Sequence, residues 1–306
     1  MAAEPVLEVE HLTVSYARGG GRQTAVDDLS FTVRRAETFG LVGESGSGKS
    51  STAFAILGLI RPHGRIDGGS VRLEGTELVG LTKDQWRPIR WRRLSLVPQG
   101  AMNALNPVMR IGDQIGDAIV AHDGRQDGTA LRARIQKLLD SVGLPDRVAR
   151  SYPHELSGGM KQRACIAMAI ALDPALIIAD EPTSALDVVV QRAVAETLVD
   201  VKERIGASVI LIGHDLGLQA QLVDRLGVMY RGRLVETGPV RDLFQRPQHP
   251  YTELLIRSVP SIRHADDTLT GAARRARELA AAADELAKSG IPPLREVGPD
   301  HLVALP

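Results

Sequence analysis

The sequence predicts an α/β fold built on a mainly parallel sheet covered on both faces. Three observations carry that expectation. The short apolar runs "TFGLVG", "ALIIAD" and "ASVILIG" read as buried strands, and helical patterns alternate with them. The 306 residues are long enough for a full core and more than one lobe. Hydrophobic residues make up 43% and aromatic residues only 3%, so the core must be mostly Val, Leu, Ile and Ala.

The elements follow in order. "VLEVEHLTVSY" alternates and reads as a strand ending at Tyr16, "ARGGGRQ" as a loop, and "DDLSFTV" as a second strand. "TFGLVG" runs straight into "ESGSGKSSTAFAILGLI", a loop and a helix. "GSVRLEGTEL" reads as a strand with a Gly turn, and "RRLSLVPQ" as a strand ending at Gln99. From Ile111 to about Tyr152 the spacing becomes helical, as in a helical insertion between two parts of the core. "MKQRACIAMAIAL" is a helix, "ALIIAD" a strand, and "VVVQRAVAETLVDVKERIG" a helix stopped by Gly206. After "ASVILIG", the segment "DRLGVMYRGRLVETG" reads as a hairpin turning at Arg231-Gly232. Past Pro260 the composition shifts to a polar, Ala-rich helix without a wide apolar stripe, expected to be solvated or loosely packed. "IPPLREVGPDHLVALP" is expected to be a short extended tail.

Several function classes fall away. Lys+Arg and Asp+Glu are both 37, which argues against a nucleic-acid partner held by a general positive field. The single Cys165 cannot staple the fold or build a cysteine metal site, and reads as a small buried apolar residue. No basic region precedes an apolar run at the N-terminus, so no signal peptide is expected. No stretch reaches the roughly 20 apolar residues of a membrane span, so a membrane role must come through a partner.

The chemistry is concentrated in three places. "GESGSGKS" puts Gly43, Glu44, Ser45, Gly46, Ser47, Gly48, Lys49 and Ser50 between a strand and a helix, with Ser51 next. Glycines let backbone N–H groups converge on a phosphate, and the helix start adds its positive end. Lys49 supplies a cation for β- and γ-phosphates, and Ser50 a hydroxyl for Mg²⁺. In "ALIIADEPTSALD" a strand ends in Asp180, fit to hold Mg²⁺, and Glu181 stands just beyond, fit to polarise a water. His214 after "LIG" could orient that water through the γ-phosphate, and Gln99 could touch both Mg²⁺ and the water. In isolation, a strand-end His is more often structural and Gln99 a loop amide. Tyr16 could stack on adenine or be a half-buried strand tyrosine. The third place is Ser157-Gly158-Gly159, a second phosphate-facing helix start without a lysine. One pocket has little room for two such helices. The second is therefore expected to serve the nucleotide of another molecule, with two chains head to tail sandwiching two ATPs.

Together, "GESGSGKS", Gln99, "LSGGM", "LIIADE", "SALD" and His214 resemble the ATP-binding cassette (ABC) family over roughly Val6 to Pro260. The resemblance implies a P-loop NTPase core of ABC type, with an N-terminal antiparallel β subdomain and a helical subdomain at about 105–165. Residues 1–260 would be the ATPase domain and 261–306 a C-terminal extension. It implies that Ser157, Gly158 and Gly159 bind a γ-phosphate held across an interface, and that Asp187 of "SALD" communicates between the two sites. Tyr16 matches the adenine-stacking aromatic. "LVPQGAMNALNPVMRIGDQI", "RPQHPYTELLIRSVP" and the closing "PLREVGPDHLVAL" are similar to ATPase subunits of bacterial oligopeptide and dipeptide importers, a group that includes nickel importers. The implied partners are two membrane permease subunits, a second ABC ATPase subunit (heterodimer or homodimer) and, indirectly, an extracytoplasmic solute-binding protein. The implied place is the cytoplasmic face of the cell membrane. The segment after Gln99 would help form the groove for a permease coupling helix. Alternatives are a nickel or other small-solute motor, or a soluble ABC ATPase not tied to transport. Met160 stands where the wider family has Gln, Gly213 where Thr or Ser is more usual, and Ala36 where Gly is common. Some relatives carry C-terminal cysteines that bind an iron–sulfur cluster. This tail has none, so no cluster is expected.

Overall fold

The computed structural model describes residues 4–60, 62–100, 104–184, 186–259 and 269–305. In chain order the first elements are β1 (Pro5–Arg18), β2 (Gly21–Arg34), β3 (Thr38–Val42) and α1 (Lys49–Ile56). Then come β4 (Gly64–Leu73), β5 (Thr76–Glu77), α2 (Lys83–Trp86) and β6 (Leu94–Val97). Helices α3 (Ile111–Asp123), α4 (Gly128–Ser141) and α5 (Gly158–Ala169) are followed by β7 (Leu176–Asp180), α6 (Val188–Ile205) and β8 (Ser208–Ile212). The chain continues with α7 (Leu216–Leu222), β9 (Arg225–Tyr230), β10 (Arg233–Pro239), α8 (Val240–Gln245) and α9 (Pro250–Arg257). It closes with α10 (Leu269–Lys288), β11 (Arg295–Gly298) and β12 (His301–Val303). Two compact units emerge: one of Met1–Leu7, Val33–Thr38 and Leu73–Ile212, the other of Glu8–Thr32, Phe39–Arg72 and Gly213–Pro306.

In the first unit, β6, β7 and β8 run parallel, with Leu176 opposite both Leu94 and Ser208. All five residues of β7 and of β8 are buried. That is why they read as unbroken apolar runs rather than alternating ones. The predicted helical stretch resolves into α3 and α4. Buried Ile115 and Ile119 line one helix, and buried Ile135 and Leu139 the other. Asp127 starts α4 by accepting the N–H groups of Thr129 and Ala130 at 2.9 and 3.2 Å. The segment then passes into two short 3-10 turns, Asp146–Arg150 and Pro153–Glu155. Gly206 closes α6 at φ +68, as the stop signal predicts. Cys165 is buried, and burial pushes its thiol up to about 12. Ala36 sits at φ +57, a left-handed position where glycine costs less.

In the second unit, β9 pairs parallel with β3 and antiparallel with β10, and β12 joins β10 antiparallel. In this unit the pairing is therefore parallel between β3 and β9 and antiparallel from β9 to β12. Strands β1 and β2 are neighbours. They reach further into "ARGGGRQ" than the expected loop, because Gly19 and Gly20 alone make the turn, at φ +54 and +85. Tyr16 is thus inside β1 and not at its end. The tail is not merely extended. It folds into the β11–β12 hairpin, and Ala304 N–H donates to Val235 O at 2.8 Å. Helix α10 does carry a narrow apolar stripe, with Leu279 and Ala283 buried one turn apart.

Candidate active site

The loop from Gly43 to Ser50 leaves β3 and enters α1. Gly43, Gly46 and Gly48 have φ of +150, +84 and +107. A Cβ on Gly43 would lie 2.2 Å from Met229 O, and one on Gly48 2.5 Å from Ala25 O. Backbone oxygens cannot swing aside, so both places require glycine on two counts. Gly232 N–H donates to Ser47 O at 3.0 Å and fastens the loop to the β9–β10 turn. Lys49 is 6% exposed. Its Nζ donates to Gly43 O at 2.7 Å, Glu44 O at 2.9 Å and Ser47 Oγ at 3.3 Å. The ammonium thus sits inside the curl of the loop, where converging N–H groups and the α1 start also favour an anion. Ser50 and Ser51 lie in the first turn of that helix.

Two further predicted residues belong to the same unit. Tyr16 is half-buried, and its ring lies so close to Gly64 that a Cβ there would meet it at 2.6 Å. His214 is exposed, just ahead of α7.

In the other unit, Asp180 closes β7 and is 4% exposed. Glu181 turns out of the strand at φ +44, a conformation rare for a residue with a Cβ. Its N–H still donates to Ile212 O at 3.0 Å, and its Oε2 accepts Gln99 Nε2 at 2.8 Å. Gln99 does not end β6. It lies two residues beyond Val97, because Pro98 has no N–H to continue the ladder. That extra reach brings the amide onto the Glu181 carboxylate.

Ser157 caps α5, with its Oγ accepting Met160 N–H at 3.3 Å. A Cβ on Gly158 would meet Leu186 Cδ2 at 2.9 Å, and one on Gly159 would meet Val190 Cγ1 at 2.6 Å. Asp187 caps α6 by accepting Val190 N–H at 3.0 Å, and Gln191 Nε2 donates to Thr183 O and Leu186 O, both at 3.0 Å. The two glycines therefore let the Ser-Gly-Gly helix start approach the start of α6. Ala185 of "SALD" and residues 101–103 of the segment after Gln99 lie outside the described residues.

Sequence reasoning missed Tyr251. Its hydroxyl accepts Glu44 N–H at 2.9 Å, although 207 positions separate the two. Between the loop, β9 and α10 lies a cavity of about 330 Å³, lined by Glu44, Gly46, Tyr230, Tyr251, Ala283 and Asp284 among others. The one available signal was a lone aromatic in the otherwise polar stretch "RPQHPYTE".

Comparison with known proteins fixes the family. The model of the ABC transporter family matches residues 26–184, and that of the oligopeptide/dipeptide transporter C-terminal region matches residues 235–285. The oligopeptide transport ATP-binding protein OppD of Lactococcus lactis subsp. cremoris (strain SK11) is 44% identical over 271 residues, 88% of this chain and 80% of that protein. The dipeptide transport ATP-binding protein DppD of Bacillus subtilis (strain 168) is 43% identical over 262 residues, 85% of this chain and 78% of that protein. A dimeric ATP-binding cassette, MJ0796, in a post-hydrolysis state with ADP and Pi, is similar in structure. Its TM-score is 0.69 at 27% identity, over 77% of this chain and 99% of that chain. With its phosphate loop, its paired acids and these relatives along most of its length, the chain belongs to the ABC transporter family, in the oligopeptide/dipeptide group of ATP-binding proteins.

Proposed function

We propose that the chain is the ATP-hydrolysing motor subunit of an importer of di- and oligopeptides. The observation that carries the reading is the buried Lys49 inside a glycine loop, in a chain whose Glu181 carboxylate is held by Gln99 at 2.8 Å. In this reading Tyr16 stacks on adenine, the N–H groups of residues 45–51 and Lys49 hold the phosphates, and His214 hydrogen-bonds the γ-phosphate. Glu181 orients a water and takes its proton as the water oxygen bonds to γ-phosphorus and the bond to the β-γ bridging oxygen breaks, leaving ADP and phosphate. The Gln99 amide holds the carboxylate turned for that task.

Ser50, Asp180 and Gln99 offer a hydroxyl, a carboxylate and an amide, hard oxygen donors that suit Mg²⁺ shared with phosphate and water. Bound there, Mg²⁺ would offset charge on the β- and γ-phosphate oxygens. Ser157, Gly158 and Gly159 would face the γ-phosphate of a nucleotide held by a second cassette, with Asp187 communicating between the two sites. Among the described residues no helix is long and apolar enough to cross a membrane. The transport step would therefore use two permease subunits, with the motor on the cytoplasmic face and a solute-binding protein delivering peptide outside. Residues 1–260 would form the cassette and 261–306 its extension.

The test is Glu181→Gln in the full chain. ATP binding should stay within about threefold while turnover falls about a hundredfold or more, the scale of losing a positioned acid–base group. Near-normal turnover would sink the assignment of Glu181.

A further inference from the structure

The C-terminal residues are wired to the phosphate loop. Glu236 in β10 is fully buried. Its carboxylate accepts three bonds: from Gln248 N–H at 2.9 Å, from His249 N–H at 2.9 Å, and across the sheet from the His301 imidazole, whose Nε2 is 2.8 Å away. His301 belongs to β12, the last strand among the described residues. Buried carboxylates need such partners, and these three fix the turn that opens α9.

His249 then sets Tyr251. Its Nδ1 accepts Tyr251 N–H at 3.1 Å. Burial pulls the imidazole down to about 4 against the pull of the Glu236 carboxylate, so the ring stays neutral and able to accept. Tyr251 is 1% exposed, and its ring centroid lies 4.3 Å from that of Tyr230. Burial also pushes its phenol up, so the hydroxyl keeps its proton and receives Glu44 N–H through a lone pair. A second strut comes from α10: Asp284 Oδ1 accepts Tyr230 Oη at 2.5 Å and Arg231 Nη2 at 2.7 Å. Every link lies in one compact unit.

We infer that Tyr251 is a positioning residue of the phosphate loop, and that the C-terminal residues 269–305 brace it through Glu236 and Tyr230. An acceptor at Glu44 fixes the start of the loop and leaves the later N–H groups for phosphate. The brace lowers the ordering cost of nucleotide binding without touching the reacting atoms. This rests on the loop being the ATP site, which wild-type turnover and its loss in Lys49→Ala report separately.

The test is steady-state ATPase kinetics of the full chain. Tyr251→Phe keeps the ring and removes the acceptor. KM for MgATP should rise about three- to tenfold, the scale of one part-buried hydrogen bond lost, with kcat within about twofold. His301→Ala should raise KM about threefold, and His301→Gln, whose amide can still donate to Glu236, should restore it. A fall in thermal stability alone, with KM unchanged in Tyr251→Phe, overturns the proposal. If Tyr251→Phe does not fold, the His301 pair decides. Unchanged KM in His301→Ala, or a rise that Gln does not rescue, also overturns it. A wild-type chain that neither binds nor hydrolyses ATP refutes the ATPase reading instead.

Discussion

Gly43–Ser50 and Ser157–Gly159 both place glycine at the start of a helix, yet they need it for different reasons. In the first, the glycines hold positive φ, and the missing Cβ atoms of Gly43 and Gly48 make room for backbone oxygens, Met229 O and Ala25 O. In the second, the missing Cβ atoms make room for side chains, Leu186 and Val190, and Ser157 caps its own helix. The first loop also encloses a cation, Lys49. An anion site with its own charge holds a ligand alone. A helix start without a charge offers N–H groups that suit a phosphate already held elsewhere. In the proposed reading, similar glycine patterns thus describe a complete site and half of one.

The largest effect should separate the two outright. Lys49→Ala should weaken nucleotide binding by the single chain about a hundredfold, the scale of losing one preorganised electrostatic partner. Ser157→Ala should leave it within about twofold. A fluorescent-nucleotide titration of each variant alone checks this. Equal losses would mean that both helix starts serve one nucleotide in one chain.

The glycines sharpen the contrast at a smaller scale. Gly48→Ala meets a φ of +107, worth about 1–2 kcal/mol of strain by itself, and a clash with Ala25 O on top of it, so the strain falls on the loop itself and nucleotide affinity should drop. Gly159→Ala meets the stiff, β-branched Val190. It should cost about 1–3 kcal/mol of stability in urea unfolding and leave single-chain affinity unchanged.

The first loop was legible in the sequence because phosphate chemistry constrains adjacent residues: three glycines, a lysine and a hydroxyl in one run. The buried strands were legible for a similar reason, since both faces demand apolar side chains over four consecutive positions. Contacts made at long range left weaker traces. Tyr251 reaches Glu44 from 207 positions away, and nothing in "HPYT" says which N–H its hydroxyl will take. Leu279 and Ala283 bury one side chain per turn of α10, too thin a stripe to stand out in an Ala-rich run. The strand extent near Tyr16 was misread because "RGGGR" looks like a loop, although two of its glycines suffice for the turn.

Asp187 gives the finest distinction. The family resemblance assigns it to communication between sites, and the structure makes it the N-cap of α6, beside the second helix start. The two roles respond differently to substitution. A cap needs a side-chain oxygen near Val190 N–H, which Asn supplies as well as Asp. Charge near the helix start and near phosphate is supplied by Asp alone. Asp187→Ala should therefore cost about 1 kcal/mol of stability, while Asp187→Asn should keep stability within a few tenths. Urea unfolding of both variants measures the cap. Dimer-dependent ATP turnover of Asp187→Asn then isolates the charge. A severalfold loss with stability intact assigns the carboxylate to traffic between nucleotides, whereas full turnover reduces Asp187 to the residue that starts α6 and so holds Val190 against Gly159.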